Sequence, residues 1–585
     1  MLGRYLLAMV MASTLSGVAL AADKNCKLEK LAELPVTMAS SSPLVSAGIN
    51  GVDALFLADS GAFYSVISPG SAAQFKLKEG PAPVGLGVKG IGGWQAVGVT
   101  TVNQFTLAGI PFHRVEFMVG GSELGSGAAG VLGQNVLRLA DTEYDLANGA
   151  IRLMRPTCHS ALPVYWGGPG QLYSVMAIDP TTAKEPHTVG VAYLNGKKLT
   201  VMFDSGAQAS MMTLAAAERA GIKPDSPGVV PGGNWGGFGR RAVKTWLAPF
   251  QSLTVGDEEI RNTRLRVGDM YLDNVDMLLG VDFFLSHRIY VANSQHKLYF
   301  TYNGGPVFNL KTTAAQQTAA AQPAPDQSLD ADGLARRGAA FVARHEYASA
   351  LADLTRACEM APQEPRFFFQ RARAYVADSQ SAPALADLDQ VIELKADDVP
   401  ARVLRAQLRL ASHDPTGAVA DLDAADHAAA QQDDARFTLA ALYIRTNHLP
   451  QAIAQYDQWI DAHSQDRRTA SAYGGRCWAR AASGYELERA LADCNKANRL
   501  GPHDAEFLQV RGLLRLRMGD FDHAISDFDA SLKLNPKNPW SLWGRGQAEQ
   551  HKQKSRAAQQ DLAAAAALRP HIAEQFQTHG FVVPE

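Results

Sequence analysis

At 585 residues and a formal net charge of −3, the chain is too long for one hydrophobic core and has neither the basic field that nucleic acid requires nor a polybasic membrane patch. Length alone predicts roughly three to four domains. The five cysteines are spaced in no zinc pattern and no His-Glu-x-x-His cluster accompanies them, so no metal or cofactor is expected.

Residues 1–21 carry Arg4, an apolar run over 5–12 and a small-x-small site at Ala19-Leu20-Ala21, the pattern of a secretory signal peptide. Ser13, Thr14, Ser16 and Gly17 interrupt the run, which is too short for a membrane anchor. No other stretch is apolar enough to span a bilayer. The expected location is therefore exported, periplasmic or secreted. Export permits disulfides. Cys26 and Cys158 bracket the first β-rich region, and Cys477 and Cys494 fall on facing helices of one repeat. For each pair, free buried thiols are an equal alternative.

Residues 34–155 alternate short β-type runs with Gly, Pro and Asn turns. Within them the apolar run Leu55-Phe56-Leu57-Ala58 ends in Asp59-Ser60-Gly61-Ala62. After a connector with an edge strand, residues 156–186, a second such region covers 187–305, where Thr200-Val201-Met202-Phe203 ends in Asp204-Ser205-Gly206-Ala207. Asn50-Gly51 and Asn195-Gly196 sit nine residues before each acid and read as tight hairpin turns. Turn, strand and acid thus repeat at an offset of 145 residues, which predicts a duplication. One short helix is expected behind each acid, after Ser68-Pro69-Gly70 and over 213–220. Each lobe then offers a Gly-rich hairpin, 85–98 with Trp94 and 232–239 with Trp235, and later an apolar pair before Gly: Val131-Leu132-Gly133 and Leu278-Leu279-Gly280.

Residues 306–330 are rich in Ala, Gln and Pro and read as a linker. Beyond it, over 331–570, small residues recur every 34 positions: Gly338, Ala372, Ala406 and Ala440 at one phase, Ala350, Ala384, Ala418 and Ala452 at another. The rhythm resumes after a four-residue insertion near 467–471, with Ala490, Ala524 and Ala558, and Pro502, Pro536 and Pro570 close the later units. This period resembles the tetratricopeptide repeat family and implies seven helix pairs. Residues 571–585 are expected to cap the last repeat. Trp459, Trp478, Trp540 and Trp543 are expected in the repeat cores.

A carboxylate at the end of a buried strand is costly, and two such acids point to a shared purpose. Amide hydrolysis without a metal needs a base for water and an acid for the carbonyl or leaving nitrogen, and two close carboxyls sharing one proton supply both. Gly61 and Gly206 let backbone approach the pair, and the Ser60 and Ser205 hydroxyls can lock the two loops together. The apolar run, Asp-Ser-Gly-Ala and the later apolar-apolar-Gly resemble retroviral-type (retropepsin-like) aspartic proteases, over roughly residues 36–305. The resemblance implies an all-β bilobal acid-protease-like domain ahead of the all-α repeat solenoid. It makes Asp59 and Asp204 the catalytic pair, Ser60, Gly61, Ser205 and Gly206 its supports, and the glycine-rich hairpins flaps over a peptide.

Two departures from the family stand out: Ser replaces the commoner Thr, and Asn135 stands where the second lobe has Asp282. Trp94 and Trp235 are equally suited to touching substrate or packing on their lobes. The match of Gly85-x-Gly87-x-x-Gly90 to a dinucleotide fingerprint lacks the helix it requires, since strand-like residues follow. Ala62 and Ala207 cannot hydrogen-bond the carboxyls through their side chains, which predicts a milder pH optimum than stomach-type enzymes have. The expected partners are a peptide or protein substrate and a protein bound by the repeats. A non-catalytic peptide-binding scaffold, and a pair formed between two chains, are the alternatives.

Overall fold

The computed structural model describes residues 27–81, 87–123, 127–157, 164–166, 172–181, 187–237, 242–308, 329–464 and 466–581. The leader, Cys26, Cys158, Gly85, Gly239 and most of the linker lie outside the described residues. Asn50 and Asn195 have φ of 50° and 48°, each followed by a glycine at positive φ, as a type I′ hairpin demands. The Asn50 side chain accepts from the Gln104 amide, and that of Asn195 from the Gln251 and Ser252 amides. These turns join Ser42–Ile49 to Val52–Ala58 and Val189–Leu194 to Lys197–Phe203.

The second strand of each hairpin delivers its acid beside the apolar pair. Ala128–Leu132 runs parallel to Val52–Ala58, and Met277–Leu279 parallel to Lys197–Phe203. The Asp59 amide donates to the Leu132 carbonyl at 3.0 Å and the Asp204 amide to that of Leu279 at 2.9 Å. Gly133 and Gly280 follow because the acid-bearing loop passes directly over them: a Cβ there would lie 2.8 Å from the Ala62 carbonyl oxygen and 2.7 Å from that of Ala207.

Each lobe is completed by a long antiparallel hairpin, Gly98–Leu107 with Ile110–Val119 and Val243–Val255 with Glu258–Gly268. The two expected helices are Pro69–Gln74 and Leu214–Arg219, capped by the Ser68 and Thr213 side chains. Two more, Gln134–Leu137 and Val281–Ser286, follow the apolar-apolar-Gly segments. They were not expected, because such short helices hold too few turns for periodicity to register.

The lobes join through six antiparallel strands. Leu28–Ala39, Ala150–Pro156 and Asp141–Asp145 of the first lobe meet His287–Ala292 and Lys297–Tyr302 of the second, with Ser174–Ala177 on the edge. Tyr144 pairs with Ile289 across the seam. Beside it the fully buried Glu143 carboxylate receives Arg152 of the first lobe and Arg288 of the second, each at 2.6 Å. Charged donors from both lobes therefore satisfy one buried acid.

Fourteen helices in seven pairs, from Ala331–Ala343 to Ser555–Leu568, form the tetratricopeptide solenoid. Ala350, Ala372, Ala384, Ala406, Ala418, Ala440 and Ala452 are fully buried, and a Cβ at Gly338 would press on Leu354; small residues there let paired helices approach. An unanticipated ladder runs along the array. Arg337–Asp353, Arg371–Asp387, Arg405–Asp421, Arg511–Asp527 and Arg545–Asp561 each pair across 16 residues. Leu439 takes the arginine position in the fourth repeat.

Cys477 and Cys494 form a disulfide between the helices Thr469–Ser483 and Leu487–Leu500, Cα atoms 5.4 Å apart, and Cys358 is a buried free thiol. Trp459 is fully buried. Trp478 and Trp540 meet edge to face at 5.4 Å, and Phe581, just beyond the helix Ile572–Thr578, packs 4.9 Å from Trp478. The C-terminal segment thus extends past the last repeat, reaching back to the fifth. Ala339, Ala340 and Ala343 of the first repeat helix share one apolar cluster with the lobes. Among the described residues no helix is long and apolar enough to cross a membrane.

Candidate active site

Asp59 and Asp204 meet at the interface of the lobes, both half-buried. A Cβ at Gly61 would overlap the Asp204 carboxyl, and one at Gly206 would overlap that of Asp59. That mutual approach explains the glycine in each tetrapeptide. The Gly61 amide donates to Asp59 Oδ1 at 2.9 Å, while Asp204 Oδ1 accepts from the amides of Gly206 at 2.9 Å and Ala207 at 3.1 Å.

The serines interlock across the lobes. The Ser60 amide donates to Ser205 Oγ at 3.0 Å and the Ser205 amide to Ser60 Oγ at 2.9 Å. Each hydroxyl then donates onward, Ser60 Oγ to the Phe203 carbonyl and Ser205 Oγ to the Ala58 carbonyl, both at 2.8 Å. Four reciprocal hydrogen bonds between buried groups fix the spacing of the strand ends that carry the acids. The threonine methyl that serine lacks is not needed for this lock.

Both carboxyls are raised. Burial, then the negative charge of Asp204 and the hydrogen bond between the two side chains, push the Asp59 carboxyl well above the usual carboxylate range, against the Gly61 and Ala62 amides. Burial also raises Asp204, and the Gly206 amide, the hydrogen bond to Asp59 and the Ala207 amide offset part of that rise. One proton is therefore shared by the pair at a pH where isolated carboxyls would both be charged.

Several surrounding residues escaped the sequence reading. Tyr144 lies beneath the pair, hydrogen-bonded to Ser60, its phenol pushed upward by burial. The Gln134 side chain donates to the Ser60 carbonyl at 2.7 Å. His187 shares a hydrogen bond with the Gly61 backbone and lies within electrostatic reach of Asp204; burial lowers its pKa. Its ring stands edge-on to Phe63 at 6.2 Å. Nothing local in the sequence marks His187, which comes to the site only through the crossing of the lobes.

The Asn135 and Asp282 difference dissolves on inspection. Asn135 Oδ1 accepts from the Ser65 amide and hydroxyl, both at 2.9 Å, and Asp282 Oδ1 accepts from those of Ser210 at 2.8 and 2.6 Å. An amide oxygen here does what a carboxylate oxygen does in the other lobe.

Gly87–Gly90 and Gly93–Ala96 form the hairpin expected as the first flap, so Gly87 and Gly90 of the dinucleotide-like match sit on a strand. Trp94 is 60% exposed. In the second flap, Val230–Trp235, the Trp235 ring lies under the Arg266 guanidinium at 4.2 Å, packed on its own lobe. The flap tips meet where Gly237 faces Ile91. Lys89 bridges to Asp273 of the other lobe at 2.8 Å. Among the described residues no group of three or more His, Cys, Asp or Glu could hold a metal ion.

Residues 45–139 match the family model described as "gag-polyprotein putative aspartyl protease", residues 191–283 the model for aspartyl protease, and residues 505–538 that for the tetratricopeptide repeat. No curated protein matches the chain. Similar solved structures include a tetratricopeptide repeat protein from Parabacteroides merdae, 15% identical, covering 43% of this chain and 97% of its own at a TM-score of 0.33. Another is the C-terminal part of a repeat protein from Cytophaga hutchinsonii, 14% identical, covering 41% and 98% at 0.32. A third is the APC/C hetero-tetramer Cut9–Hcn1, 13% identical, covering 37% of this chain and 42% of that one at 0.30. The chain joins aspartyl-protease-type β lobes in its N-terminal part to a tetratricopeptide solenoid at its C-terminal end.

Proposed function

We propose that the protein is an exported aspartic endopeptidase whose repeat array docks a partner or a substrate segment. The observation that carries this reading is the pair of half-buried, adjacent carboxyls, Asp59 and Asp204, brought together at the lobe interface and locked there by Ser60 and Ser205. The charged carboxyl of the pair takes a proton from water as its oxygen attacks the scissile carbonyl carbon, and the protonated one gives its proton to the carbonyl oxygen. As the resulting tetrahedral diol collapses, one hydroxyl returns its proton to the now charged carboxylate, C=O re-forms, the C–N bond breaks, and the nitrogen leaves with the proton of the other carboxyl. The flaps cover an extended peptide that lies in the cleft as an added strand. The Cys477–Cys494 disulfide supports export, since such bonds persist in oxidising compartments.

The test is cleavage of a broad peptide library by the full chain and by Asp59→Asn and Asp204→Asn. Wild type is expected to cleave, each variant to lose nearly all activity, and specific activity to hold on dilution. A library left intact by all three proteins supports the scaffold reading instead. Activity that collapses on dilution would place the pair between chains.

A further inference from the structure

The 34-residue rhythm breaks once, between Ala452 and Ala490, and the extra residues fall at the corner joining the helices Leu449–Ala462 and Thr469–Ser483. That corner touches the β lobes. The Glu123 amide donates to Asp466 Oδ2 at 2.7 Å, and the Arg467 amide donates to Ser122 Oγ at 2.9 Å. His463 fills the space beside Gly70, where a Cβ would lie 2.5 Å from its Nε2. The Arg467 side chain, itself exposed, reaches the second flap: its Nη1 occupies the place a Cβ on Gly236 would take. The next flap residue, Gly237, faces Ile91 at the tip of the first flap.

The corner is stiff. Arg468 binds Asp466 through its amide at 2.7 Å and Nη2 at 3.0 Å, and its guanidinium lies over the Trp459 and Phe437 rings at 5.0 and 5.2 Å. His463 stacks on Trp459 at 4.7 Å, and Thr469 Oγ1 donates to the His463 and Asp466 carbonyls at 3.0 and 2.6 Å. These contacts brace the corner from the solenoid side, while Asp466, Arg467 and His463 meet Glu123, Ser122, Gly236 and Gly70 of the lobes.

We propose that Arg467 is a positioning residue of the cleft: the corner after the fourth repeat anchors on Ser122 and Glu123 and uses Arg467 to hold the second flap, making the array part of the wall that closes on a peptide. This deepens the peptidase reading and rests on it for its kinetic consequence. Its geometric consequence is separate.

The experiment uses the full chain with Arg467→Ala, Arg467→Lys, Gly236→Ala and the Arg467→Ala/Gly236→Ala double variant. Gly236 has no positive φ that would bar alanine. Amide exchange over residues 230–237 is expected to quicken at least fivefold in Arg467→Ala and in Gly236→Ala. The double variant should be no worse than either single, because both remove one contact. Arg467→Lys should restore most of the protection. For peptides the wild type cleaves, KM should rise about tenfold in Arg467→Ala with kcat within about twofold, since the carboxyl pair is untouched. Unchanged exchange in Arg467→Ala, or fully additive effects in the double variant, overturns the proposal. Quickened exchange in a protein that cleaves no peptide would sustain the flap contact and defeat the peptidase reading alone.

Discussion

Glu123 allows a sharp test of how the array is held to the lobes. It is buried at the corner contact, and burial pushes its carboxyl up to about 7, opposed by the Ser68 hydroxyl and Arg468 and reinforced by Asp434 and Asp466. The His463 ring, whose own pKa burial lowers, also faces it, with Nε2 3.7 Å from Oε1. An unfolded Glu releases its proton near pH 4.5 and the folded one near 7. Between those values the folded state binds more protons, so stability falls as pH rises through this window and levels off above it. Each pKa unit is worth about 1.4 kcal/mol, which makes the whole displacement about 3 kcal/mol. Glu123→Gln keeps an acceptor for Ser68 and removes the titration. Urea unfolding followed by tryptophan fluorescence at pH 5 and pH 8 should show wild type losing about 2.5 kcal/mol more than the variant over that interval. Parallel pH dependence in the two proteins would refute the reasoning.

Ser60→Ala or Ser205→Ala removes one hydroxyl from the reciprocal lock and strands a buried amide; each is expected to cost about 1–3 kcal/mol in urea unfolding and to lower kcat more than it raises KM. Arg288→Met leaves Glu143, buried at the lobe seam, with Arg152 as its one remaining cation beside the Tyr165 hydroxyl and should destabilise by about 3–5 kcal/mol in the same assay, whereas Arg155→Met, whose partner Glu29 is exposed, should cost about 1 kcal/mol or less. Replacing Cys477 and Cys494 by alanine opens a loop closed across 17 residues and should lower stability by about 2–4 kcal/mol, read as a fall in Tm. The pH–rate profile should peak above about pH 4, because the alanine side chains after each glycine add no hydrogen bond to the ionised pair; a maximum in stronger acid would show that the two Ala207 and Gly206 amides on Asp204 are enough.

What could be read from the sequence was whatever repeats. The Asn-Gly turns, the tetrapeptides and the apolar-apolar-Gly segments each occur twice, and local chemistry ties each to a backbone need: positive φ at Asn50 and Asn195, close approach at Gly61, Gly133, Gly206 and Gly280. The small residues of the solenoid were legible for the same reason. Residues that act across long sequence distances were not. His187, Tyr144 and Gln134 reach the carboxyl pair only after the strands cross, and no spacing encodes that crossing. The Arg–Asp ladder was hidden differently, since each pair spans two helices and its arginine reads, by type alone, as a solvated surface residue. The C-terminal segment packs on the last repeat through Phe576 against Trp540, and Phe581 also meets Trp478 two repeats away, a contact no local pattern encodes.

Carrying both lobes in one chain frees them to differ. Two identical subunits would place the proton on either acid with equal probability, and any asymmetry would have to come from the substrate. Here the two lobes keep the same hydrogen bonds at Ser60 and Ser205, and at Ser65 and Ser210, and the same pair of backbone amides on each acid, Gly61 and Ala62 on Asp59, Gly206 and Ala207 on Asp204. They differ at His187, which comes from the start of the second lobe, shares a hydrogen bond with the Gly61 backbone of the first and lies within electrostatic reach of Asp204. The symmetric contacts set where the carboxyls stand, and His187 makes their surroundings unequal. The division extends outward, because the corner at Arg467 reaches the second flap at Gly236. The glycine there leaves the guanidinium its place, so the second flap meets the array through a contact set by its own residue.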